Sequence, residues 1–380
     1  MRWQRQLQSP AVALSRTVLG SLLAISGFVK AVDPLGTAYK IQDYFAVAGL
    51  EQLNHFALPL AILLNTSEFV IGCAILFGWV RRISSALGLG MMIFFTPLTL
   101  YIAIANPVPH CGCFGDAWII SNWQTFFKNL GLLAAAIVVY RNARQRPVAK
   151  PRRRAVFGLG SSTVFILGLS VYALLYLPVI DFRPWRIGNH IPTLVETGTP
   201  PVVQHSFTYQ HKETGETKAI TEKELASEGV PDPDYWRFVD RRTDVVAPGI
   251  PAQIENFSIH DEWGEDYTTF YIADHDVLLI VVIDDLQATR ASVVVEEVEP
   301  LAASAAENGI SLIALTSSPF EEIHAFATEH LLTFPFYQTD ERALKTMIRS
   351  NPGLILLQQG TVKGKWPHRR MPSTWDEMAP

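Results

Sequence analysis

Leu58-Pro59-Leu60-Ala61-Ile62-Leu63-Leu64-Asn65-Thr66-Ser67-Glu68-Phe69-Val70-Ile71-Gly72-Cys73-Ala74-Ile75-Leu76-Phe77 is a stretch in which Glu68 is the only charged residue. Wound as a helix at about 1.5 Å per residue, it reaches about 30 Å, the thickness of a bilayer's hydrocarbon core. Runs of the same kind lie at 11–32, 84–105, 123–140 and 155–179, with the quoted one extending over 57–79. Together they predict a membrane α-helical bundle of about five transmembrane helices. The composition agrees: 49% of the 380 residues are hydrophobic and 18% charged, apolar for an ordinary soluble domain.

Charge divides the chain in two. Residues 1–180 hold 15 Lys and Arg against 5 Asp and Glu, whereas 181–380 hold 16 against 31. The basic half is solvated by lipid and the acidic half by water, so the boundary falls near Asp181. The first run could be a secretory signal, but Lys30, Val32, Asp33 and Pro34 follow it in place of a small-residue cleavage site, which marks an uncleaved anchor. Arg2 and Arg5 precede the first run, and Arg81 and Arg82 follow the second. Arg141, Arg144, Arg146, Lys150, Arg152, Arg153 and Arg154 separate the last two. Five alternating spans put all three groups on one face, which by the positive-inside bias is cytoplasmic. The expected location is the bacterial inner (cytoplasmic) membrane, with the amino terminus cytoplasmic and the loops 33–56 and 106–122 and all residues after Asp181 periplasmic. Basic runs can also mark nucleic-acid binding, but no such motif accompanies these, so no nucleic-acid partner is expected.

The chemistry-bearing segment is His110-Cys111-Gly112-Cys113-Phe114-Gly115-Asp116, in the second periplasmic loop. Two of the three cysteines are here, in a C-x-C whose disulfide would close a strained ring, and strained exposed disulfides are the reducible, catalytic ones. Gly112 tolerates the backbone angles required. His110, when protonated, would favour a thiolate at Cys111. Two other readings stand beside this one. A permanent disulfide would only tie the loop, and so small a ring constrains little of the unfolded chain. A soft-metal site could use His110, Cys111, Cys113 and Asp116, although zinc sites usually space their cysteines by two or more residues; no metal is assigned. Cys73, inside an apolar helix, reads as a small core filler.

Glu68 falls about 16 Å into its helix, where a carboxylate is costly and marks either a proton relay or an ion pair holding helices together. Arg16 and Lys30 are the candidate partners, though each is near enough to a helix end to snorkel.

The second half reads as an α/β domain. A continuous apolar run at 277–283 and another at 310–315 have strand length, 293–307 and 320–331 have helical periodicity, and 354–357 with 362–366 forms a hairpin around Gln358-Gln359-Gly360. Such alternation implies a helix-flanked sheet. Residues 319–366, with Asn351-Pro352-Gly353 opening a strand, resemble the late part of thioredoxin-like and TlpA-like folds, which makes Pro352 the cis-proline candidate. A redox thioredoxin carries C-x-x-C after its first central strand. Here that place is Asp284-Asp285-Leu286-Gln287-Ala288-Thr289-Arg290, without cysteine, so thiol exchange by this domain is excluded. What remains is a binding module. Residues 182–250 read as a linker with a hairpin over 207–220. The divisions are thus 1–145, a four-helix membrane domain; 146–180, a basic loop and fifth helix; 181–249, the linker; and 250–380, the thioredoxin-like domain. No nucleotide loop, zinc helix or serine nucleophile elbow occurs.

The membrane half resembles the DoxX superfamily and, more narrowly, MauE-type proteins of methylamine utilisation. The resemblance rests on Arg16-Thr17-Val18-Leu19-Gly20, Ser26-Gly27-Phe28-Val29-Lys30, Asp33-Pro34, Asp43-Tyr44-Phe45, Glu68 with Gly72 and Gly78, and the segment Cys111 to Asp116. It implies support of disulfide formation or maturation of periplasmic proteins, beside a thioredoxin-like companion. The expected function is therefore an inner-membrane thiol–disulfide factor acting through Cys111, Cys113 and His110. Its partners are periplasmic client proteins or thioredoxin-like proteins, with lipid as solvent. No cofactor is certain; analogy with other membrane thiol oxidases suggests a quinone as electron acceptor. The alternatives are a non-enzymatic scaffold with a structural C-x-C, and copper or zinc delivery.

Overall fold

The structure, a computed structural model, describes residues 10–108, 110–145, 153–196, 202–247, 253–254, 257–273 and 275–378. Six helices form the first half: α1 (Pro10–Val32), α2 (Pro34–Val47), α3 (Ala57–Phe77), α4 (Arg81–Ala105), α5 (Asn122–Arg144) and α6 (Arg153–Leu175). Among the described residues, four helical stretches are long and apolar enough to cross a membrane: α1, α3 with its preceding turn from Glu51, α4 and α6. Leu63, Phe94, Ile104 and Val164 point outward from them, as side chains solvated by lipid do. The chain is a multi-pass membrane protein.

The expected fourth span, α5, falls short on apolarity but lies antiparallel along α4 over its full length. Asn122 Nδ2 donates to Asn106 Oδ1 at 2.8 Å at one end, and Arg82 Nη2 donates to the Arg144 carbonyl at 3.0 Å at the other. α1, α3, α4 and α5 close a four-helix ring around Leu19, Leu23, Ile75, Met92, Leu132 and Ala136. α6 packs outside it against α3 and α1. The described basic residues between the spans gather at one end of this ring and the cysteine loop at the other. Arg2, Arg5, Arg146, Lys150 and Arg152, also used for the expected orientation, lie outside the described residues.

The segment 33–56 is not the expected loop. Asp33 caps α2 by accepting a hydrogen bond from Gly36 N at 3.0 Å, and Pro34, lacking an N–H, starts the first turn at no cost.

α1 and α3 touch backbone to backbone. A Cβ built on Gly27 would come within 2.4 Å of Phe69 N, and one on Gly72 within 2.4 Å of Ala24 N. Small residues permit such approach between membrane helices. Gly27→Leu is accordingly expected to force α1 and α3 apart and to cost several kcal/mol, beyond the ~1–3 kcal/mol of ordinary overpacking. The melting temperature of the detergent-solubilised protein measures it, and an unchanged value would contradict the contact.

In the second half, β4 (Val277–Ile283) is central in a five-stranded sheet of order β6-β5-β4-β7-β8. β5 (Ser311–Thr316) and β6 (Phe336–Gln338) run parallel to it; β7 (Gly353–Gln358) is antiparallel to β4, and the edge strand β8 (Thr361–Pro367) is antiparallel to β7. β4 is buried on both faces, which is why its sequence is uniformly apolar rather than alternating. Trp185, Ile191, Ile259, Leu344 and Met347 cover one face, and Val294, Val298, Leu301 and Ile323 the other. The Asn351–Pro352 peptide bond is cis, as expected, immediately before β7. This parallel core with an antiparallel closing hairpin is a thioredoxin-like α/β arrangement.

A separate antiparallel ribbon, β1 (Val202–His211), β2 (Thr217–Thr221) and β3 (Trp236–Ala247), contains the expected hairpin with Phe207 opposite Ile220. The start of the supposed linker is part of the domain core instead: Trp185 is fully buried, and Asp181 accepts from Arg183 Nε and Lys365 Nζ at 2.8 Å each. The expected boundary at 249/250 falls outside the described residues.

Candidate functional site

The loop between α4 and α5 dips into the open end of the ring. Gly112 sits at φ +71°, a left-handed conformation that brings the flanking cysteines to the same side. Their sulfurs are 3.3 Å apart as a thiol pair. Two hydrogen bonds hold the loop's backbone. Tyr44 OH, on α2, donates to the Cys111 carbonyl at 3.0 Å. Ser26 Oγ, on α1, lies 2.7 Å from the Cys113 carbonyl and 2.8 Å from Glu68 Oε2, one proton between two acceptors.

Beneath the loop, Lys30 Nζ pairs with Glu68 Oε1 at 2.6 Å, and both side chains are buried. Asn65 Nδ2 fixes the same turn by donating to the Lys30 carbonyl at 2.9 Å. Of the two expected partners for Glu68, the structure selects Lys30. Arg16 is 14 residues from Lys30 in the same helix, about 21 Å along the axis, and lies near Gly78 and Arg81 at the basic end. Glu68 is therefore not isolated from the cysteines, because Ser26 connects its carboxylate to the loop.

The thiols share a proton unequally. The Cys111 thiol, hydrogen-bonded to the Cys113 sulfur, holds Cys113 down to about 6 against the opposing effect of burial, and Lys128 and Lys30 add to the lowering. Cys111 is pushed up by the same hydrogen bond and by burial. The cations that act on Cys113 include lysines supplied by two helices, and His110, to which the sequence pointed, lines the same cavity as both cysteines. Lys128 also lies 4.5 Å over the Phe114 ring, which orients it toward the loop. Its position four residues before Leu132 in an apolar helix gives no sequence sign of this role. Among the described residues no group of three His, Cys, Asp or Glu is arranged to hold a metal ion. Asp116, counted as a possible ligand, instead lies 3.8 Å from Arg349.

The cavity measures about 1320 Å³ and extends from the ring to the α/β domain. Its lower part is walled by Leu22, Leu23, Met92, Phe95 and Leu132, and its upper part by charged residues including Asp33, Lys40 and Arg349. The place a C-x-x-C would occupy is close to this interface. Asn351 Nδ2, beside the cis-proline, donates to the Asp285 carbonyl at 2.9 Å, and Arg349 reaches the membrane half from the same turn.

Residues 8–141 match the family model described as methylamine utilisation protein MauE. The match covers α1 to α4 and most of α5 and stops short of α6. Comparison with curated proteins found no match. Among solved structures the chain is similar to a thioredoxin-like protein from Bacteroides caccae, at 11% identity over 80% of this chain and 79% of that one, with a TM-score of 0.21. The reading of the α/β half rests on its own strand order.

Proposed function

We propose that this protein is a thiol–disulfide factor of the bacterial inner membrane that supports disulfide formation or maturation of periplasmic proteins, with Cys111 and Cys113 as the cycling pair. The observation that carries the reading is the contact of the two sulfurs beside Lys128 and Lys30, which lowers one thiol pKa and leaves the other high. Lowered thiol pKa values belong to reactive rather than structural cysteines. In the oxidised pair, a partner thiolate attacks Cys111, forming a mixed disulfide and releasing Cys113 as thiolate. The partner's second thiolate then attacks its own bridged sulfur, releasing Cys111. The partner gains a disulfide, and the pair holds two electrons and two protons. In this reading Lys128 and Lys30 act on the pair in addition to His110.

An acceptor must take those electrons. By analogy with other membrane thiol oxidases a lipid-soluble quinone would supply the two-electron, two-proton acceptor, and Leu22, Leu23, Met92, Phe95 and Leu132 would line its place. The wider DoxX-superfamily resemblance is compatible with the same role. The basic residues gathered at one end support an orientation with the cysteine loop and the α/β domain on the periplasmic side. A second reading, a non-enzymatic scaffold, is favoured by the absence of cysteine from the docked α/β domain.

Thiol-state mapping in native membranes tests the proposal. The pair is expected to be oxidised at rest, reduced on addition of a dithiol client and reoxidised afterwards. A pair that remains oxidised throughout supports the scaffold, and stoichiometric copper or zinc lost from the double serine variant supports metal delivery.

A further inference from the structure

The α/β domain turns toward the cysteine loop the edge at which open sheets carry their working groups, the carboxyl ends of β4 and β5 together with the turn before β7. Arg349 lies in that turn. Its Nε and Nη2 donate to the Asp33 carboxylate at 2.8–3.0 Å, joining residues 316 positions apart. Arg349 is buried, and Nη2 is also 3.8 Å from Asp116 of the cysteine loop. Burial opposes charge on Asp33, yet Arg349 outweighs it and holds the carboxyl below its ordinary value. The Tyr39 ring of α2 lies 4.8 Å from Lys345 Nζ and 5.1 Å from the Arg349 guanidinium.

This contact bears on the thiols from two sides. Asp33 caps α2, and α2 carries Tyr44, which holds the Cys111 carbonyl. Asp116 belongs to the cysteine loop itself. The space left beneath the docked domain is small for a protein: 1320 Å³ corresponds to a sphere of about 7 Å radius, whereas a 100-residue domain has a radius of gyration of about 13 Å. A folded partner cannot bring a thiol to Cys111 through it. The contact is charged rather than apolar, the kind of interface across which domain motion is the default.

We propose that the cysteine-less α/β domain is a tethered lid over the Cys111–Cys113 pair, latched by Arg349 on Asp33, and that folded thiol partners gain access when it lifts. The proposal rests on the reading of the pair as the cycling site. It gives the domain a role that needs no cysteine, and it makes Arg349 a positioning residue that acts through Asp33 and Asp116.

The test uses the full chain in native membranes with the pair reduced, and compares alkylation by N-ethylmaleimide with alkylation by a long polyethylene-glycol maleimide. The small reagent is expected to react readily with the unaltered protein and the long one slowly. Arg349→Glu sets like charges against Asp33 and Asp116, and should speed the long reagent about tenfold or more, because breaking a buried pair shifts the docked population strongly. The small reagent should change little. The exchanged pair Asp33→Arg with Arg349→Glu should return the long reagent toward its original rate, which a merely unfolded variant would not do. Equal rates for the long reagent in the unaltered protein and in Arg349→Glu would overturn the lid. So would acceleration of both reagents that the exchanged pair fails to reverse. Because access is read without turnover, the lid can fail while redox cycling stands, and the reverse.

Discussion

Cys113→Ser is expected to abolish oxidation of partner thiols, a loss of several orders of magnitude as for other reacting units stripped of one member, and to accumulate a mixed disulfide through Cys111. The direction follows from the leaving group. A thiolate of lower pKa departs more readily, and Cys113 is the lowered member, at about 6. Partner attack therefore falls on Cys111; in the variant the same adduct is reached from the product side, when the Cys111 thiolate attacks the disulfide of an oxidised partner and releases that partner's second thiolate, and the Cys113 sulfur that would then displace the partner as a dithiol is gone. Cys111→Ser should be equally inactive and trap nothing. Non-reducing electrophoresis of native membranes followed by mass spectrometry distinguishes the two. Trapping only through Cys113 would reverse the roles and make the pair a reductant of partner disulfides. The reduced pair should also show its lowered thiol directly: alkylation by iodoacetamide should rise through about pH 6 and level off by about pH 8, where an ordinary thiol of pKa about 8.5 is still gaining thiolate.

Much of this site was legible in the sequence because the features that carry it are local. The cysteines flank a glycine, β4 is apolar along its whole length because it is buried twice, and Pro352 follows an asparagine at a strand opening. α2 carries a local sign too, the Asp33-Pro34 cap, in a segment whose position between two apolar runs reads as a loop. What was not legible depends on distance through the fold. The choice of Lys30 over Arg16 is decided by position along α1 relative to the glycine contacts with α3. Lys128 becomes a thiol-facing cation only because α5 closes the ring against α1 and α4. Arg349 and Asp33 meet across 316 residues, and no periodicity in either half encodes the meeting. Trp185 lies between Pro184 and Arg186 in a stretch that reads as a linker, and only the packing of the α/β sheet shows it as core.

The Lys30–Glu68 pair is where structural and chemical roles are separable. Glu68→Gln leaves a lysine buried without its counter-ion, and Lys30→Met leaves a carboxylate in the same position; breaking a buried pair costs about 3–5 kcal/mol. Each single variant should therefore fall in abundance and melting temperature, while Lys30→Met with Glu68→Gln removes both charges and should recover most of the loss. Arg16→Met should leave the pair undisturbed. If the double variant is abundant but reoxidises Cys111 and Cys113 slowly, the pair moves protons for the thiols; if reoxidation is normal, it only joins α1 to α3. The thiols supply a further readout whose sign differs between the single variants. Lys30 favours the Cys113 thiolate and Glu68 opposes it, so in whatever folded fraction is recovered, Glu68→Gln should move the pH profile of Cys113 alkylation downward and Lys30→Met upward. Shifts of the same sign in both would show that the profile reports a disturbed loop, and the electrostatic link through Ser26 between the buried pair and the cysteines would be withdrawn.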